Sequence, residues 1–156
     1  MASRRTLLRH VLPVLLMSAP ALQAQSVNGC SRATANDLTG QSQVAIEFGI
    51  TGLRYTPPCI RVDVGTQVTF TGSFLQHPLL GGSVLAGTPV ADIAGPFVPV
   101  TNSGNSRTFG MATAGDFPYY CVAHGFGGMA GAVYVGAFID ALFADGVESD
   151  ARRARN

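Results

Sequence analysis

The strongest constraint on this chain is a period of two. Residues 59–64 (CIRVDV), 67–71 (QVTFT) and 130–135 (AGAVYV) alternate their side chains along extended runs. Such alternation puts one face of a strand in a core and the other in water. Gly65-Thr66 marks a turn between the first two runs, and Gly115-Asp116 turns the chain into residues 117–121. Residues 44–48 and 106–111 read as further strands, and 53–58, with two prolines, as an edge or a turn. Residues 26–41 and 81–105 are rich in small and polar residues and read as loop. The second of these is expected to be a long connection with room for a short strand, and it holds an apolar patch at 97–100. There is no internal repeat and no helical periodicity before residue 137. The pattern predicts an all-β domain, a sandwich or barrel.

The two ends read differently from the middle. Arg4, Arg5 and Arg9 precede a short apolar run, and Ala19, Ala21 and Ala24 follow as cleavage options. This is the pattern of a removable export signal over residues 1–24, and Ser3-Arg4-Arg5-Thr6-Leu7-Leu8 is similar to a twin-arginine signal. The domain proper is then 25–136. Residues 137–156, acidic and then arginine-rich, read as an appended tail. No later segment is apolar enough over enough length to cross a bilayer. All ten cationic residues are arginine, and losing the first three leaves seven against nine acids. A basic surface for nucleic acid is therefore not expected. The scattered charges also give little long-range steering toward a charged partner.

Three cysteines in an exported chain leave one thiol over. Cys30 and Cys59 are the expected disulfide, because Cys121 has the neighbours of a metal site. A loose lipobox, Val27-Asn28-Gly29-Cys30, keeps lipidation of Cys30 as the alternative.

Cys121, His124 and Met129 lie within one glycine-rich loop between two strands, in the spacing Cys-x2-His-x4-Met. Alone, a buried Cys or Met is ordinary core and a His on an apolar stretch is a satisfied core residue. Together they are three of the four groups of a blue-copper site: one thiolate, two imidazoles and a weak axial thioether. After loss of the signal only His77 and His124 remain. The second imidazole is therefore His77. The same scarcity argues against a copper enzyme, which would need a further histidine-rich site. A zinc site fits less well, because a thioether is an odd neighbour for zinc. A copper-binding or delivery protein without electron-transfer duty remains the alternative to an electron carrier.

The segment Tyr120-Cys121-x-x-His124-Gly125-x-x-Gly128-Met129-x-Gly131-x-Val133-x-Val135 closely resembles the copper loop of plastocyanin-like cupredoxins, pseudoazurin among them. The resemblance covers roughly residues 43–136. It implies a Greek-key β-sandwich holding one type 1 copper ion on His77, Cys121, His124 and Met129. It also implies one-electron transfer to redox proteins through a small transient contact near His124, in a monomer placed in the periplasm or secreted. Many relatives follow the first histidine with an asparagine that braces the copper loop. Here Pro78 follows, so that brace must come from elsewhere.

Overall fold

The computed structural model describes residues 26–136. The expected export signal and C-terminal tail lie outside the described residues. Ten strands run β1 (Asn36–Asp37), β2 (Gln43–Phe48), β3 (Tyr55–Thr56), β4 (Cys59–Val62), β5 (Gln67–Thr71), β6 (Leu79–Leu85), β7 (Thr88–Ala91), β8 (Ser106–Gly110), β9 (Gly115–Cys121) and β10 (Ala130–Val135). They form a six-stranded sheet, β1-β4-β10-β9-β6-β7, and a four-stranded sheet, β3-β2-β5-β8. Successive strands switch repeatedly between the sheets, giving an all-β Greek-key sandwich. Among the described residues no helix is long and apolar enough to cross a membrane.

The alternation in the sequence becomes the inner face of each sheet. In β2 and β5 the buried residues are Val44, Ile46, Phe48, Val68 and Phe70. β4 adds Ile60 and Val62, and β10 adds Val133 and Val135. Tyr119 sits edge-on to Tyr55, Phe70 and Phe97, with centroids 4.9, 5.0 and 5.5 Å away. Its hydroxyl donates to the Pro58 carbonyl at 2.8 Å, so a polar group is satisfied inside an apolar core.

β10 is buried along its whole length, not on one face. Its outer side chains, Ala132 and Tyr134, are covered by Cys30, Val27 and Ala35 of the N-terminal segment. That segment is held by the Cys30–Cys59 disulfide, whose Cα atoms are 5.5 Å apart. The expected pairing is therefore present. Asn28 adds a clamp: its side-chain nitrogen donates to the Gly82, Tyr119 and Gly131 carbonyls, and its oxygen accepts from Val84 N–H. One side chain thus bridges β6, β9 and β10.

Two expectations need correction. Residues 81–105 are not one long connection. β6 and β7 form a hairpin there, closed by Ala86 and Gly87, both at positive φ. The apolar patch at 97–100 is not a strand: Phe97 plugs the core, and the next residue, Thr101, makes an isolated bridge to Leu79. Residues 26–41 likewise are not all loop, since β1 pairs in parallel with β4.

Candidate metal centre

The sheet register assembles the site. β6 pairs with β9 so that Leu79 lies opposite Cys121. His77, two residues before Leu79, is thereby delivered to the end of β9 where Cys121 leaves the sheet. Val122 N–H donates to the Pro78 carbonyl at 2.8 Å, so backbone alone ties the His77 segment to the Cys121–Met129 loop.

From Cys121 the chain turns back at once. His124 N–H donates to the Cys121 carbonyl at 3.2 Å, and a single 3-10 turn, Gly125–Gly127, follows. Gly128, at φ 91°, ends that turn in the left-handed region that glycine adopts without strain. Cys121 N–H donates to the Met129 carbonyl at 2.9 Å, and Met129 N–H to the His124 carbonyl at 3.2 Å. Cys121, His124 and Met129 are thus locked to one another through main chain before any side chain is considered.

Three side-chain atoms converge. His77 Nδ1 and His124 Nδ1 are 3.1 Å apart, and Cys121 Sγ is 3.9 and 3.4 Å from them. A point equidistant from the corners of that triangle lies about 2.0 Å from each, close to the usual metal–imidazole distance of about 2.0–2.1 Å. Two imidazole nitrogens at 3.1 Å share either a proton or a cation, and two imidazoles with a thiol make a donor set that suits a soft or borderline metal. Among the described residues this is the one group of His, Cys or acidic side chains gathered closely enough to hold an ion. Met129, fully buried, is tied to both Cys121 and His124 by the main-chain bonds above.

Burial sets the electrostatics. It pushes the Cys121 thiol upward, partly opposed by the backbone N–H groups of Ala123 and His124. It also lowers His77, with His124 as the second cause. Both groups are thus biased toward their neutral forms. His77 is only 8% exposed and His124 more so, which makes His124 the wetter imidazole.

Two neighbours of the site were not legible in the sequence. Phe48 stands edge-on to the His77 ring, centroids 6.2 Å apart. Gly49 backs directly onto that ring: a Cβ there would be 3.0 Å from His77 Cδ2 and Nε2. Phe48 ends β2 and Gly49 follows it, both far from His77 in sequence, and no local motif marks such a contact.

No protein-family model matches the chain, and no curated protein matches it. Among solved structures it is similar to amicyanins. One is a mutant amicyanin in its reduced state, at 24% identity over 60% of this chain and 81% of that one, with a TM-score of 0.40. Another is a mutant amicyanin in a Cu(I) form, at 21% identity over 60% and 82%, with a TM-score of 0.41. A third is an oxidised mutant amicyanin, at 21% identity over 59% and 80%, again with a TM-score of 0.41.

Proposed function

We propose that this chain is an exported type 1 blue-copper protein of plastocyanin-like cupredoxin kind, carrying single electrons between redox partners. The observation that carries the reading is the convergence of His77 Nδ1, Cys121 Sγ and His124 Nδ1 within 3.1–3.9 Å of one another. These three residues would hold the ion, and Met129 would supply a thioether from the same loop. Copper bound there supplies a reversible one-electron couple between Cu(II) and Cu(I).

The chain's own part is to keep the ligands still and dry. Strand pairing and main-chain hydrogen bonds fix all four ligand segments, so little rearrangement accompanies a change of charge. Cys121 and Met129 are fully buried, which keeps water from the sulfur ligands. A soft thiolate with a thioether favours copper over zinc. His124 offers the accessible ring. Beside it Phe126 is 69% and Val122 46% exposed, an apolar rim suited to a small, transient redox contact. The Cys30–Cys59 disulfide suits an oxidising compartment, periplasmic or extracellular. With both histidines committed to one site, no substrate-binding copper is proposed and the protein is read as a carrier, not an enzyme.

Potentiometric titration of the copper-loaded protein tests this. A reversible one-electron couple is expected, and Met129→Gln should keep copper while shifting the potential. Absence of a reversible couple would remove the carrier function. An unchanged potential in Met129→Gln would remove the axial role of Met129.

A further inference from the structure

We propose that Gly49 is a positioning residue that sets where the His77 imidazole sits, an inference that rests on the ligand role given to His77 above. β2 ends at Phe48, and the chain turns at Gly49 with φ +72°. The turn is held by Gly49 N–H donating to the Arg54 carbonyl and Arg54 N–H to the Gly52 carbonyl. This lays bare backbone against one edge of the His77 ring. A Cβ at position 49 would stand 3.0 Å from both Cδ2 and Nε2, tighter than ordinary van der Waals contact.

The direction of that contact matters. The Cδ2–Nε2 bond lies across the imidazole from Nδ1. With Cγ 4.0 Å away as well, a Cβ there would press obliquely on that far edge, tilting and shifting the ring and so moving Nδ1 from its place 3.1 Å from His124 Nδ1 and 3.9 Å from Cys121 Sγ. The ring has little room to yield sideways, with Phe48 edge-on at 6.2 Å and the His124 ring at 4.9 Å. Nor can the main chain retreat easily. His77 N–H donates to Ser73 O, and the Pro78 carbonyl is held by Val122 N–H. The absence of a side chain at Gly49 thus lets the loop seat and shield His77 without moving its coordinating nitrogen. It also leaves His124 as the exposed imidazole of the pair.

Gly52 supplies the control. It lies in the same loop, also at positive φ (+102°), with nothing within 4 Å of a Cβ. Alanine at either position strains the backbone, but only at 49 does it press on a ligand. Chelator competition for Cu(II) should show Gly49→Ala weakened about tenfold or more, the size usual for lost support of a ligand, and Gly52→Ala changed by less than about twofold. Urea unfolding of the metal-free proteins gives a second, copper-independent readout. The stability lost through Gly49→Ala should shrink in a His77→Ala background to the loss seen for Gly52→Ala. An equal loss in both backgrounds, or an equal effect of both alanines on Cu(II), would overturn the proposal. If Gly49→Ala does not fold alone, refolding in the His77→Ala background supports the contact and failure in both overturns it. A native chain that takes no Cu(II) would sink the ligand reading, and the metal-free cycle would then decide the Gly49–His77 contact by itself.

Discussion

At Cys121 burial and ligation pull in opposite directions. Desolvation raises the thiol, yet a metal takes the thiolate. The proton must therefore leave when the ion arrives. His77 is lowered by the same burial, so near neutral pH it is already deprotonated and releases nothing. The sign follows: where the imidazoles are neutral and the thiol is not yet ionised, each Cu(II) displaces one proton from Cys121, and apparent affinity rises about tenfold per pH unit. Calorimetry in buffers of different ionisation heat counts that proton. Release of none at neutral pH would mean that Cys121 is not a ligand or is ionised beforehand. The grouping of His77, Cys121 and His124 was legible because two of them sit in one short loop and the third was the only other histidine left after the expected signal. Gly49 and Phe48 were not, because they meet His77 only after β2 and the segment following β5 are folded together.

At the scale of elements, β10 and β5 were plain in the alternation of their residues, and their bounds agree with it. The β6–β7 hairpin was not. Leu79–Leu85 carries two glycines in mid-strand, which reads as loop, and its two-residue turn is Ala86-Gly87 in place of the stronger Asn-Gly signal. The sheet also changes there. Ala132 N–H is spent on the Pro58 carbonyl, so its partner Pro118 turns its missing N–H toward the side that β6 leaves. β6 pairs with β9 only from Leu79 to Gly81. Asn28 fills the gap with its side-chain amide, a role no local pattern foretells. The N-terminal segment that carries Asn28 is pinned by Cys30–Cys59, which spans 29 residues. Replacing both cysteines by serine should cost about 3.5 kcal/mol on the chain-entropy account. Urea denaturation measures it, and a loss below about 1 kcal/mol would show that Asn28 and strand pairing hold the segment without the bond.

On the proposed reading, the whole sandwich is the scaffold that holds His77, Cys121 and His124 together, with Phe126 and Val122 exposed nearby. Among the described residues charges are few, and the ion pairs Arg32–Asp116 and Arg61–Asp37 are partly solvent-exposed. Electron exchange with a small charged redox complex should therefore change by less than about threefold between low and physiological salt. A steep salt dependence in stopped-flow traces would point to a charged docking surface. On the proposed function, His77, Cys121 and His124 would hold copper through a thiolate in a trigonal set. The visible and electron-spin-resonance spectrum of the Cu(II)-loaded protein tests it most directly. The expected result is an intense blue thiolate-to-copper absorption with a compressed hyperfine splitting, bleached by reductant and absent in Cys121→Ser. A pale complex with the wide splitting of a tetragonal site would contradict it.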